Sequence, residues 1–243
     1  MNDWIATDLD STLFARAWAA EDAVAATWSH PDGSPPTPSS WMKAGTHRLL
    51  EALNQSFALV PVTARDWDSF SRVTVAGLNL CGPAVIANGA VILGLDGEPD
   101  PQWEEIMMAT LAPRESTLRD ACAWLTAASA GNARPRLVTG PREMPAYLVA
   151  KAGPGWWQSP AGMAVFSQID LPDFHVEILG LELQVLPPGV GKLPATVEVR
   201  DRWFGGRPPL LCLGDMPLDL QFMRLGGFLA TPLGSTLDQA WPP

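Results

Sequence analysis

Cysteine, lysine and tyrosine are scarce in this chain, and long apolar runs are missing. Only three cysteines occur in 243 residues, Cys81, Cys122 and Cys212, far apart and without a CxxC pair. That argues against a disulfide framework or a zinc site and leaves three small buried hydrophobes as the expectation. No apolar stretch approaches the ~18 residues of a membrane-spanning helix, so no membrane association is expected. The opening MNDWIATDLD carries acids and runs straight into a strand-like segment, unlike a secretory leader, and a cytoplasmic location is expected. Positive charge is short as well: 16 Lys and Arg stand against 26 Asp and Glu, for a net charge of −10. Nucleic acid, whose binding rests on neutralising phosphates with cations, is therefore not an expected partner.

What is present is a globular balance, with 47% hydrophobic and 17% charged residues, in a chain long enough for one large domain or a core with a smaller insertion. The 24 prolines and 11 tryptophans point only to a rigid, loop-rich surface. The three lysines, Lys43, Lys151 and Lys192, are few enough that a well-placed one is informative.

Hydrophobic patterning divides the chain. WIATDL (4–9) reads as a buried strand ending in acids. The alanine-rich stretch 14–28 has helical character, 30–40 reads as a Pro/Ser/Gly loop, and 41–54 places Leu49, Leu50 and Leu53 at helical spacing. FALVPVT (57–63) is a second strand, followed by a helix over 64–78. Two short apolar runs around Asn88-Gly89 signal a hairpin or strand end. Residues 114–128 suit a helix with Leu118, Cys122 and Leu125 on one face. From 134 to 187 five strand-like segments follow, among them MAVFSQI (163–169). A helix over 193–204, a strand in PPLLCLGD (208–215) and another in GGFLATP (226–232) complete the chain. The outer parts alternate strand and helix, as in a doubly wound parallel sheet, while the middle is richer in strands, as in an inserted domain.

Ligands of an open parallel sheet sit beyond the carboxyl ends of its strands. Asp8 and Asp10 close the first strand, Thr63 the second and Asp215 the LLCLG strand, and Lys192 opens a helix. Phosphoryl transfer can use each type. A carboxylate such as Asp8 can attack phosphorus and form an aspartyl-phosphate, and Asp10 can protonate the leaving alcohol and then activate water. Asp8, Asp215 and the carbonyl of Asp10 offer the oxygen ligands magnesium prefers. That ion would also reconcile an acidic protein with a phosphate ester. Lys192, the Thr63 hydroxyl and backbone amides after Asp10 can stabilise the transferring oxygens. Asp219, a helical turn beyond Asp215, can orient Lys192 or the waters of the metal.

These residues also carry a resemblance. DLDSTL (8–13) resembles the DxDxT motif of the haloacid dehalogenase superfamily, VTAR (62–65) its second motif, GVGKLPAT (189–196) its third and GDMPLDLQFM (214–223) its fourth, GDxxxD. The resemblance implies a magnesium-dependent phosphatase with an α/β fold, a Rossmann-like core over 1–88 and 188–243, and an inserted α+β cap over 89–187. Asp8 would be the nucleophile, Asp10 the acid/base, Thr63 and Lys192 phosphate ligands, and Asp8, Asp10, Asp215 and Asp219 the magnesium site. Ser11, Thr12, Ala64, Arg65 and Asn88 join the substrate- or phosphate-binding candidates. Arg65 reads equally as an anion ligand or a structural ion pair, and Trp156 and Trp157 as cap contacts to substrate or as packing.

A long cap between the second and third motifs resembles the Cof-type, sucrose-phosphatase-like and mannosyl-phosphoglycerate-phosphatase-like branch. It implies a small phosphorylated metabolite, a sugar phosphate or phosphoglycerate-type compound, selected by the cap of a monomer or homodimer. Ser11 and Ala64 stand where that family commonly has Gly, Leu218 stands where many members have Asn, and 14–40 is a longer segment that would form a flap. A phosphomutase of the same fold and a non-catalytic binding protein are the alternatives. His30, His47 and His175 have no ligand spacing and read as structural or surface residues.

Overall fold

The computed structural model describes residues 3–29, 35–80 and 82–240, so the expectations for His30 and Cys81 lie outside the described residues. The chain forms two compact units, Met1–Asp100 with Lys192–Pro243, and Pro101–Gly191.

In the first unit the chain runs β1 (Trp4–Thr7), β2 (Phe14–Ala15), β3 (Val24–Ser29), β4 (Thr37–Met42), α1 (Ala44–Asn54), β5 (Ala58–Pro61), α2 (Trp67–Phe70), β6 (Ala84–Ile86) and β7 (Val91–Leu93). The second unit holds α3 (Pro101–Leu111), α4 (Glu115–Ala128), β8 (Ala133–Thr139), β9 (Pro145–Ala152), α5 (Pro160–Phe166), β10 (His175–Leu179) and β11 (Glu182–Leu186). The first unit then resumes with α6 (Lys192–Trp203), β12 (Leu211–Leu213), α7 (Leu220–Met223), β13 (Phe228–Ala230) and α8 (Thr236–Ala240).

The core of the first unit is a parallel sheet in the order β13-β12-β1-β5. β1 is central and buried along its whole length, as expected of a parallel strand covered on both faces. Its register aligns Thr7 with Leu213 on one side and Pro61 on the other. All three strands therefore end at one level, and the residues that follow them emerge on one rim. The Val62–Val85 bridge carries the pairing on towards β6, which forms a hairpin with β7. At the other end β13 is the outer strand, with Phe228 67% and Leu229 39% exposed.

The segment read as alanine-rich helix is instead β2, a 3-10 turn and β3, which pair with β4 in a three-stranded antiparallel sheet. Part of the expected loop over 30–40 is thus strand. Leu13, Phe14, Ala26 and Met42 tie this sheet into the core formed by Ile5, Leu50 and Leu59. Burial of these side chains fixes an extended chain here over the helical preference of alanine. The same sheet shortens the helix expected after β5. Trp28 N–H bonds to Arg72 O and Thr74 N–H to Ala26 O, so β-branched Val73 and Thr74 lie extended beside β3, and only the single turn of α2 remains. In α1, Leu50 is buried while Leu49 is 59% exposed.

The second unit is a four-stranded antiparallel sheet, β10-β11-β9-β8. One face packs Leu148, Ala150, Leu183 and Val185 against Leu118 and Leu125 of α4, Trp157 and Val165. The strand expected at MAVFSQI is helix α5. Ser159 caps it by accepting from Gly162 N–H, and Pro160 occupies the first turn, a combination that favours a helix start. Helix α3, for which the sequence patterning offered no expectation, buries Trp103, Met107 and Leu111. Trp157 is fully buried, donates to Ala150 O at 3.2 Å and meets Trp156 edge-on. Trp157 is thus part of the core of this unit, and the half-buried Trp156 packs against that core.

Among the described residues no helix is long and apolar enough to cross a membrane. His47 bonds to Ala76 O and faces Glu51, and His175 is an exposed residue beside Glu177. Cys122 is half-buried, and burial pushes the Cys212 thiol up to about 12.

Trp4 anchors β1, 1% exposed, stacked on Phe204 with ring centroids 4.5 Å apart and bonded through Nε1 to Arg207 O at 2.9 Å. Trp4→Ala is expected to lower unfolding free energy by about 3–5 kcal/mol, the usual cost of deleting a buried indole. Urea denaturation reads this directly, and a loss under about 1 kcal/mol would contradict the central place of β1.

Candidate functional site

Register assembles the site. Asp8 follows β1 directly, and its N–H bonds to Leu213 O at 2.9 Å, which extends the ladder by one step. Asp215 lies two residues past β12 and Thr63 two past β5. Lys192 enters as the first residue of α6, a helix that packs on β6 and the 87–89 turn. Asp219 follows Asp215 in a 3-10 turn, Pro217–Asp219.

The carboxylates of Asp8, Asp215 and Asp219 converge, with oxygens within 4.8 Å of one another. All three are buried, at 6%, 7% and 2% exposure. The Lys192 ammonium, 8% exposed, bridges Asp8 Oδ1 and Asp219 Oδ1, both at 2.7 Å, with the Phe222 ring 5.7 Å away. The Thr12 hydroxyl lies 3.0 Å from Asp8 Oδ2 and 3.2 Å from Asp215 Oδ1. Its single proton serves one of them at a time.

Three carboxylates thus share one ammonium away from water. Burial, against the pull of Lys192 and with the push of Asp219 and Asp215, raises the Asp8 carboxyl to about 7. Burial and Asp219 raise Asp215 to about 6. Lys192 is pushed above its ordinary value: burial works against its charge, and Asp8 and Asp219 outweigh it.

This excess of negative charge suits a divalent cation, and an all-carboxylate donor set suits a hard one such as magnesium. The residues divide the work unequally. Asp219 has both oxygens engaged, Oδ1 by Lys192 and Oδ2 by the N–H groups of Asp215 and Met216 at 3.2 and 3.1 Å. It therefore orients Lys192 and the Asp215 loop. Asp8, which meets the Thr12 hydroxyl and Lys192, and Asp215, which meets the Thr12 hydroxyl, fit direct ligation. Gly214 makes the arrangement possible. A Cβ there would stand 2.6 Å from Asp219 Cβ and 2.7 Å from Met223 Sδ, so no side chain fits between the β12 strand end and the Asp219 turn. The GDxxxD spacing marks this glycine but does not reveal its steric reason.

The remaining candidates lie around this cluster. Thr63 is 1% exposed, and its Oγ1 accepts from Arg65 N–H at 3.2 Å. Ala64 is half-buried between them. Asn88 is buried in a left-handed turn with Ala87 (φ 52° and 49°), and its N–H bonds to Thr63 O. Ser11 is exposed at φ 63°, and its N–H is spent on Phe14 O at 2.8 Å, which removes that amide from the expected phosphate cradle. Asp10 stands apart from the carboxylate cluster. It is exposed, with both oxygens forked by Arg65 at 2.6 and 2.7 Å. Leu218 lies half-buried in the Pro217–Asp219 turn.

Two measurements test this electrostatic balance. Asp8 and Asp215 bind protons more tightly in the folded chain than the unfolded value of 3.8, so their contribution favours the fold at low pH and is lost as pH rises through about 6 and about 7. In EDTA, Tm is expected to fall by roughly 5 °C between pH 5.5 and 8, and magnesium should restore most of it at pH 8. A Tm indifferent to both pH and magnesium would contradict the shared-charge cluster. Gly214→Ala should cost about 1–3 kcal/mol by overpacking and weaken magnesium stabilisation in the same thermal assay.

No protein-family model matches the chain, and no curated protein matches it in sequence. Solved structures do. A trehalose-6-phosphate phosphatase related protein is 17% identical with a TM-score of 0.54, covering 94% of this chain and 91% of that one. The sucrose-phosphatase of Synechocystis, solved with sucrose and phosphate, is also 17% identical with a TM-score of 0.54, over 98% and 95%. A haloacid dehalogenase-like hydrolase from Bacteroides thetaiotaomicron is 13% identical with a TM-score of 0.54, over 95% and 94%. At these identities the likeness is one of architecture: this chain has the haloacid dehalogenase-like α/β fold, a parallel core sheet with an inserted second unit.

Proposed function

We propose that the protein is a magnesium-dependent phosphomonoesterase that works through an aspartyl-phosphate on Asp8. The observation that carries this reading is the convergence of Asp8, Asp215 and Asp219 with Lys192, drawn from remote parts of the chain, at the carboxyl ends of a parallel sheet.

The Asp8 carboxylate attacks phosphorus while the bond to the leaving alcohol breaks, and Asp10 gives that oxygen a proton. Water then attacks phosphorus, gives a proton back to Asp10 and frees Asp8. Lys192 neutralises charge on Asp8 and on the transferring oxygens, and the Thr63 hydroxyl binds one of those oxygens. Magnesium held by Asp8 and Asp215, with the carbonyl of Asp10, would supply the remaining positive charge at the phosphoryl group.

The substrate in this reading is a small phosphorylated metabolite, a sugar phosphate or phosphoglycerate-type compound. An acid/base at Asp10 serves an alcohol leaving group, and two of the structural neighbours are a sucrose-phosphatase and a trehalose-6-phosphate phosphatase related protein. The second unit, Pro101–Gly191, takes the role of a substrate-selecting cap. Its insertion between Thr63 and Lys192 in the chain supports that role.

Hydrolysis of p-nitrophenyl phosphate with magnesium, abolished by EDTA, tests the reading. Asp8→Asn should keep the circular dichroism of the native protein and lose activity by at least about a thousandfold, because an amide is not a nucleophile here. Wild-type turnover by that variant would refute it.

A further inference from the structure

The helix-covered side of the second unit holds a cavity of about 340 Å³, within the size range of small-molecule sites. Its floor is apolar, with Leu125 of α4 and Val185 of β11 at 1% and 0% exposure. One wall is α4, where Asp120 and Trp124 stand a helical turn apart and so share a face. A second wall is the segment after α5, where Asp170 and Leu171 line the cavity. That segment is tied down. The N–H groups of Gln168 and Ile169 bond to Val165 O and Phe166 O, and Phe174 N–H bonds to Leu171 O. The cavity is thus preformed, with fixed walls.

Charge at this cavity is one-sided. Asp120 and Asp170 line it from two different elements, and no lysine, arginine or histidine does. Neither carboxylate has a hydrogen bond or ion pair among the described residues. The neighbouring cation, Arg119, is spent on Glu115 Oε1 at 3.0 and 2.7 Å. Trp124, 37% exposed, adds an indole to the same lining, and indole is the side chain whose face best attracts a cation. Two acids alone would be ordinary solvated surface. Set beside an indole over an apolar floor, they complement a molecule with one positive end and an apolar body. A metal ion, which takes oxygen ligands on all sides, has no use for that floor.

We propose that this cavity is a second binding site, for a small primary ammonium ion that carries an apolar body. The ammonium donates to Asp120 and Asp170, its charge lies against the Trp124 indole, and the body displaces water from Leu125, Leu171 and Val185. The site lies wholly within Pro101–Gly191 and shares no residue with the carboxylate cluster of Asp8, Asp215 and Asp219. It stands whether or not the first unit hydrolyses phosphate esters.

Ligand-observed NMR titration of the full chain with 2-phenylethylamine, at neutral pH, low salt and with EDTA present, tests this. Kd should be on the order of 0.1–1 mM, as befits so small a ligand. 2-Phenylethanol, alike in size but uncharged, should bind at least about tenfold more weakly. The double variant Asp120→Asn with Asp170→Asn should lower amine affinity by at least about tenfold, and Trp124→Leu by about threefold or more. Both should keep the circular dichroism of the native protein. Equal affinity for amine and alcohol would overturn the proposal, because a merely apolar hollow accepts both. Unchanged amine affinity in the double asparagine variant would also overturn it, and would place the amine elsewhere, as at the buried carboxylate cluster. So would no binding of the amine at about 10 mM. Calcium bound by the wild type but not by the double variant, with the amine silent, would make the two acids a metal site instead. If the double variant fails to fold, Asp170→Asn alone is read for the same direction with a smaller loss, and no loss there counts against the site.

Discussion

One ammonium shared among buried carboxylates is the constraint around which this molecule is organised. Lys192 meets Asp8 and Asp219 at 2.7 Å each, and Asp215 lies in the same cluster with no ammonium of its own. Burying that much like charge costs stability, and the fold holds it through geometry: a central strand in register with both neighbours, a glycine that admits the Asp219 turn, and a threonine hydroxyl between two carboxylates. Groups so placed work against the fold in the absence of a cation, as is common where charge is concentrated for function. The same imbalance shows at Asp8, where Lys192 favours the anion and burial, the larger effect, resists it.

The parts of the site legible in the sequence were those set by residue type at strand ends. An acid after WIAT, a threonine after FALVPV and an acid after LLCLG can be read from patterning alone, because a parallel sheet brings such positions to one rim. Division of labour among the acids was legible only in part, in the expectation that Asp219 orients Lys192. Asp219 has its oxygens committed to Lys192 and two backbone amides, and Asp10 has its own committed to Arg65. Both facts depend on rotamers and turn geometry that spacing does not encode. The exposed Ser11, with a left-handed backbone and an amide bonded to Phe14, shows the same limit at the phosphate cradle.

The elements misread from sequence share one physical cause, the override of local preference by packing. Alanine-rich 14–28 is extended because its side chains close a small sheet against the core. Residues 72–74 follow it into extended structure through bonds to β3. In the second unit the error ran the other way. An apolar run with β-branched and aromatic residues became helix α5, because Ser159 and Pro160 start a helix there and Val165 is buried on the face that also holds Trp157. Short apolar runs carry no periodicity long enough to separate these outcomes.

The sheet of the first unit finishes on a strand that is apolar, outward-facing and last in the order. Such a margin invites another extended chain to add to it, and proteins commonly blunt it with charge, proline or a bulge. Here the defence is brevity. Phe228–Ala230 spans three residues, and the chain turns through Pro232 towards α8, whose Leu237 N–H is bonded to Asp215 O. The path that leaves a foreign strand little length of ladder is thus the one that fastens α8 to a candidate metal ligand, so the short edge and the site architecture depend on the same dozen residues or so.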